Sequence, residues 1–211
     1  MTPTPSSLDD SPALRADVGP APADRRWGLV ALVTAAFGFY GAATLVHERL
    51  QLFLDAGHRT SCDINSWLSC GTVMRTPQAE AFGFPNPFIG IVAYGIVLAV
   101  ALAVLAGARF APWYWWCVQA GVTLGWAFVL WLWWQTTFEI NALCLYCMLV
   151  WIMQTVLLVH TTARNLGAGV IPAPAAVARA AGSWAWFASA ALLVVIFGTV
   201  LVRFAGVIFP A

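Results

Sequence analysis

Residues 88–106 read FIGIVAYGIVLAVALAVLA, from Phe88 to Ala106, with no charge and no proline. A helix needs about 20 such residues to cross the hydrocarbon core of a bilayer. A lone strand in that setting would leave its backbone groups unpaired, so helix is the local solution. Four more runs have the same character: 27–46, 113–134, 142–160 and 183–204. The chain is therefore expected to be an all-α integral membrane protein with five spans.

Composition agrees. The 211 residues are 61% hydrophobic and 9% charged, whereas a soluble domain carries about 25% charge. Mean hydropathy is +0.80. A net charge of +1 gives no basis for nucleic-acid binding. Twelve Trp suit helix ends at membrane interfaces.

Residues 1–24 are rich in Pro, Ser, Ala and Asp and read as a disordered cytoplasmic tail. Residues 25–211 read as one membrane domain, with no room for a fused soluble redox domain. Arg25 and Arg26 precede the first run, which is longer than the apolar core of a typical signal peptide and reads as a retained span. Residues 107–112, 136–141 and 163–182 connect successive spans, the last with Pro172 and Pro174. The segment 50–87 is the one long loop, and loops of that length usually carry function. Residues 48–54 either extend the first helix or lie along the interface.

All ten basic residues are Arg. With the N-terminus inside, Arg15, Arg25, Arg26, Arg109, Arg164 and Arg179 fall on the inner side. Arg49, Arg59, Arg75 and Arg203 fall on the outer side. That bias follows the positive-inside rule. It places loop 50–87 and residues 136–141 outside, in a cell inner (plasma) membrane. Either orientation puts both cysteine pairs on one face.

Those pairs are Cys62 with Cys70, and Cys144 with Cys147. Cys144 and Cys147, spaced i, i+3 at the start of span four, share a helix face. A helix N-terminus there is expected to lower a thiol pKa and favour redox chemistry. The plainer reading is two small apolar core residues. Cys62 and Cys70 lie in a flexible loop and form either an exchanging pair or a structural staple. Structural zinc prefers two closely spaced pairs, which this chain lacks, so no metal is expected. Cys117, alone in mid-span, reads as a buried small hydrophobe.

Four motifs occur in order: Cys62-Asp63-Ile64-Asn65, Leu68-Ser69-Cys70-Gly71-Thr72-Val73, Phe82-Gly83-Phe84-Pro85-Asn86-Pro87-Phe88-Ile89-Gly90 and Cys144-Leu145-Tyr146-Cys147. With this order and spacing, the chain from the first span through the fourth resembles bacterial homologues of vitamin K epoxide reductase, in a single-domain form without a fused thioredoxin-like domain. The other quinone-linked thiol oxidase family places its Cys-x-x-Cys before the wider pair, the reverse of this chain.

The resemblance implies a four-helix bundle around a quinone, a fifth transmembrane helix, and a long extracytoplasmic loop between helices one and two. It implies a path in which Cys62 exchanges with a reduced thioredoxin-fold partner. Cys70 then attacks Cys144, and Cys147 meets menaquinone or ubiquinone. The outcome would be disulfide formation in exported proteins. Asn86 and Tyr94 match quinone contacts of the family, although Asn86 before Pro87 is also a ready N-cap and Tyr94 a ready packing residue. Animal enzymes carry Tyr four residues after the second Cys of the motif. Here that place is Trp151, which offers an indole N–H but no phenol and favours a plain quinone over an epoxide; its other reading is a membrane-facing packing residue. Asp63 either positions the loop or disfavours a thiolate at Cys62. Glu139 reads as a solvated interfacial charge, and His47, His58 and His160 show no metal or triad spacing. The competing expectation is a disulfide-stapled membrane scaffold or transporter subunit without redox turnover.

Overall fold

The computed structural model describes residues 22–208. Its elements are α1 (Pro22–Leu54), α2 (Cys70–Met74), a 3-10 turn (Pro77–Glu80), α3 (Pro87–Leu105), α4 (Pro112–Trp134), a π-helical turn (Gln135–Ile140), α5 (Leu145–Gly167) and α6 (Ala175–Ile208). Five helices, α1 and α3 to α6, are long and apolar enough to span a membrane, so the chain is a multi-pass membrane protein. Of the expected tail, residues 1–21 lie outside the described residues, while 22–24 already belong to α1. Pro22 opens the helix, and Asp24 in its first turn complements the positive end of the helix dipole.

α1 packs on α3 and α5, and α5 also packs on α4 and α6. The result is a four-helix bundle of α1, α3, α4 and α5 with α6 laid against α5. Ala31 and Ala35, both fully buried, give α1 a narrow face on which the neighbouring helices close up. α3 and α4 follow one another in sequence yet barely meet. Between them and α1 and α5 lies an apolar cavity of about 320 Å³.

Helix ends depart from the expected boundaries where polar residues continue a helix beyond the bilayer. α1 has 33 residues, about 50 Å at 1.5 Å per residue, so residues 48–54 extend it as one of the two expected routes. Residues 135–140 form a π-helical turn rather than an open loop, and Asn141 ends it in the left-handed region at φ 56°. Between α5 and α6 the connection is 168–174, much shorter than 163–182. Gly169 turns at φ 70°, and Val170 N donates back to Asn165 O at 2.9 Å, closing the end of α5. Pro172 and Pro174 keep the chain out of helix until Ala175. Cys117 is exposed on the outer face of α4, not buried. A thiol is apolar enough to face lipid, so sequence alone could not choose between the two.

The end of the bundle remote from the cysteines is tied by polar side chains. Arg164 Nε donates to Asp24 Oδ1 at 2.8 Å, and its guanidinium stacks 3.4 Å from the Trp115 ring centroid. Trp27 Nε1 donates to Thr161 Oγ1 at 3.0 Å. Asn165 Nδ2 donates to Gln119 Oε1 at 3.0 Å, and Gln119 Nε2 donates to Thr162 Oγ1 at 2.9 Å.

Candidate redox site and cavity

The two cysteine pairs meet because two chain segments run side by side. Ser69 N donates to Leu143 O at 2.9 Å and Leu143 N donates to Trp67 O at 2.8 Å, a parallel bridge pairing Leu68 with Leu143. Each strand of this clip leads straight into a cysteine. Cys70 Sγ therefore lies 2.8 Å from Cys144 Sγ. Cys62 and Cys70 form a disulfide, while Cys144 and Cys147 are free thiols. The sulfurs of Cys62, Cys70 and Cys144 all lie within 4.8 Å of one another. Two of the three are spent in the disulfide and offer no thiolate to a metal.

Asp63 builds the ring between Cys62 and Cys70. Its Oδ1 accepts from Ser69 Oγ at 2.6 Å and Gly71 N at 2.9 Å; its Oδ2 accepts from Thr60 N at 2.9 Å. A Cβ on residue 71 would stand 2.8 Å from Oδ2, so Gly71 is what admits the carboxylate. Burial opposes the charge on Asp63, but the hydrogen bonds from Ser69, Gly71 and Thr60 outweigh it and hold the carboxyl at about 2. Ser69 Oγ in turn accepts from Thr72 N at 3.1 Å and caps α2, fixing Cys70 as its first residue.

The upper turns of α1 hold the loop from below. Glu48 Oε1 accepts from Ser61 N at 3.0 Å, and its Oε2 lies 3.0 Å from His58 Nε2. Arg49 donates to Met74 O and pairs with Glu80. Ser61 Oγ also lies 3.3 Å from the hydroxyl of Tyr146, inside Cys-Leu-Tyr-Cys. Under these tethers Cys62 is only 2% exposed. Sequence reading missed Glu48 and Arg49 as loop anchors; the signal was a charge pair closing an uncharged run.

The second pair is not the simple shared helix face expected. Cys144 is extended, at φ −115°, in the N-cap position, and Cys147 sits in the first turn of α5. The expected lowering of its pKa is reversed at Cys144. Burial pushes that thiol well above its ordinary value, and the Cys147 side chain hydrogen-bonded to it adds to the rise. Desolvation outweighs the helix end because Cys144 is fully enclosed between Cys70, Ala142 and the upper part of α1.

Cys147 lines the cavity, together with Asn86, Tyr94 and Trp151. Asn86 stands at the N-cap position of α3 but makes no capping hydrogen bond. Its amide turns into the loop, with Oδ1 accepting from Ala81 N at 3.0 Å and Nδ2 donating to Gln78 O at 2.7 Å. One Nδ2 hydrogen remains unused by these contacts. Trp151 is 1% exposed and so does not face the membrane. Tyr94 is 4% exposed, and its hydroxyl is buried without a hydrogen-bond partner among the described residues. The ring packs onto α1 at Gly38, where a Cβ would come 2.5 Å from Cζ. Thr136, on the π-helical turn, also borders the cavity, and π turns recur at functional sites. Glu139 is exposed, as a solvated charge should be.

An apolar cavity with a thiol at one end and an orphaned hydroxyl on its wall fits a flat apolar molecule bearing hydrogen-bond acceptors. In comparison with known families, residues 29–162 match the model of the "Vitamin K epoxide reductase family". The match takes in both cysteine pairs, Asn86, Tyr94 and Trp151, and leaves α6 outside. No curated protein matches the chain.

Proposed function

The chain belongs to the vitamin K epoxide reductase family, and from that premise we propose that it is a quinone-dependent thiol oxidase with an extracytoplasmic thioredoxin-fold partner. Family membership makes it a membrane oxidoreductase. The observation that carries the finer reading is the file of sulfurs: Cys62 bonded to Cys70, Cys70 2.8 Å from Cys144, and Cys147 facing the cavity.

A thiolate of the partner attacks Cys62, breaking its bond to Cys70 and forming a mixed disulfide. The partner's second thiol resolves this linkage, leaving with its own disulfide and returning Cys62 as a thiol. Cys70 thiolate attacks the Cys144–Cys147 disulfide at Cys144, forming Cys70–Cys144 and releasing Cys147. Cys62 then attacks Cys70, restoring the loop disulfide and releasing Cys144. Each cycle moves two electrons and two protons from the partner to the Cys144/Cys147 pair. The state described here, with the loop disulfide formed and both motif thiols free, is the one this sequence ends on.

A bound quinone supplies the two-electron, two-proton acceptor. Menaquinone and ubiquinone both suit an apolar cavity of this volume. Asn86 would offer its spare Nδ2 hydrogen, Tyr94 its unpartnered hydroxyl and Trp151 its indole edge. Trp151 has no phenol to donate, which favours a plain quinone over an epoxide. The high pKa of Cys144 keeps it protonated once released, which disfavours its return onto Cys70. The Arg bias argues for a cell inner membrane with a cytoplasmic N-terminus, so that exported proteins are oxidised through the partner.

The burial of Cys62 favours a second reading, a stapled scaffold without turnover. The purified protein, given a reduced thioredoxin-fold dithiol and ubiquinone-1, separates them. Turnover in the wild type that disappears in Cys147→Ala supports the oxidase; no turnover in the wild type, or unchanged turnover in the variant, removes it.

A further inference from the structure

Gln154 lies seven residues after Cys147, with Trp151 between them, so all three share one face of α5. It is buried and lines the same cavity. A buried amide needs partners for both its ends. Gln154 Nε2 donates to Val122 O on α4 at 2.9 Å. A backbone carbonyl can only accept, so this contact settles the orientation of the amide; Oε1 and one Nε2 hydrogen remain unused by it. Among the described residues no donor meets Oε1. α4 is shaped for the arrangement, since a Cβ on Gly125 would come 2.8 Å from Gln154 Nε2.

The groups already placed around the ring are mostly donors. Trp151 can only donate through its indole, Asn86 Oδ1 is taken by Ala81 N, and the spare hydrogen of Asn86 donates. Donors suit the carbonyls of an oxidised quinone. They do not suit the product. When the Cys144 and Cys147 thiols form a disulfide, two S–H bonds are lost, one S–S bond forms, and the ring gains two electrons and two protons. Each ring oxygen then carries a hydrogen that needs an acceptor.

We propose that Gln154 is a binding residue that discriminates the reduced from the oxidised ring, its Oε1 accepting a hydrogen bond from a hydroxyl of the hydroquinone. The inference rests on the quinone reading above. It predicts a selective effect, because the Oε1 contact can be made only to a ring that carries hydroxyls.

The test is equilibrium binding followed by quenching of tryptophan fluorescence, since Trp27 and Trp151 line the cavity. Ubiquinone-1 is titrated into the oxidised protein and ubiquinol-1 into the dithiol-reduced protein, so that neither titration reacts. In Gln154→Met the Kd for ubiquinol-1 should rise about tenfold, the size of one lost hydrogen bond, with that for ubiquinone-1 changed less than twofold. Gly125→Ala, which displaces the amide, should give the same selective loss and carries the test if Gln154→Met does not fold. Equal weakening of both ligands marks a merely structural role and overturns the proposal, as does no weakening of either. Wild-type protein with affinity for neither ligand overturns the quinone reading itself, a different result from tight wild-type binding with an unselective variant.

Discussion

The two ends of the bundle use buried polar groups in opposite ways. At the remote end Arg164, Asp24, Asn165, Gln119, Trp27 and Thr161 pair with one another across α1, α4 and α5. At the cysteine end the ties are as many, but they hold a loop rather than helices, and they press sulfurs together. Among the described residues, five buried atoms without partners lie there or just below, Arg49 Nε, Thr60 Oγ1, Trp133 Nε1, Thr137 Oγ1 and Tyr94 Oη, against one towards the remote end, His160 Nε2. Satisfied networks rigidify, whereas unsatisfied polar atoms mark places where something else binds or moves. The remote end is a clamp for the bundle; the cysteine end is held in place and left chemically open.

The largest effect should come from breaking the loop anchor. Asp63→Ala strands Thr60 N and Gly71 N and leaves Ser69 Oγ only its contacts with Thr72, and should destabilise the loop by about 3 kcal/mol. Dithiol transfer from the partner to Cys144 and Cys147 should fall at least tenfold in stopped-flow thiol trapping. The same carboxylate makes the loop sensitive to acid. Its folded pKa of about 2 lies below the value for an unfolded aspartate, about 3.9. The stabilisation is therefore complete above about pH 4 and is lost as pH falls towards 2. It amounts to about 2 kcal/mol, read as loss of protection of Ser69 and Gly71 amides in hydrogen exchange. Asp63→Asn should abolish that pH dependence.

A smaller effect tests the cavity wall. Gly38→Ala drives a methyl into the Tyr94 ring, costing about 2 kcal/mol of thermal stability. It should also weaken ubiquinone-1 binding severalfold, because the ring must move towards the cavity. The mildest outcome belongs to the remote end. Arg164→Ala removes the Asp24 pair and the stacking on Trp115 and should lower stability by about 1.5 kcal/mol. Turnover with the partner dithiol should stay within twofold. A large loss of turnover there would show that the two ends are not separate in function.

The spans were legible in the sequence because apolar runs of helix length have one physical solution in lipid. The cysteine pairs were legible as pairs, from spacing alone. What holds them together was not. The bridge of Leu68 with Leu143 joins segments far apart in sequence, and no local pattern sets its register. Glu48 and Arg49 looked like the ordinary charged end of a span, yet they anchor the redox loop. Asn86 before Pro87 had every local mark of an N-cap. Its side chain instead bonds Gln78 and Ala81, which come within reach only once the loop has folded back over α3. The pKa of Cys144 was misjudged for the same reason: a helix end is visible in sequence, but the burial that outweighs it comes from α1 and the loop.

The central claim is the passage of the disulfide from the helix to the loop, and one linkage reports on it. Purified Cys62→Ser, oxidised with ubiquinone-1 so that its one disulfide is formed and then kept free of reductant, is alkylated and digested for mass spectrometry. The account predicts a peptide pair joined through Cys70 and Cys144, with Cys147 alkylated, because nothing remains to resolve that bond from the loop side. Recovery of Cys144 linked only to Cys147, with Cys70 alkylated throughout, would contradict it.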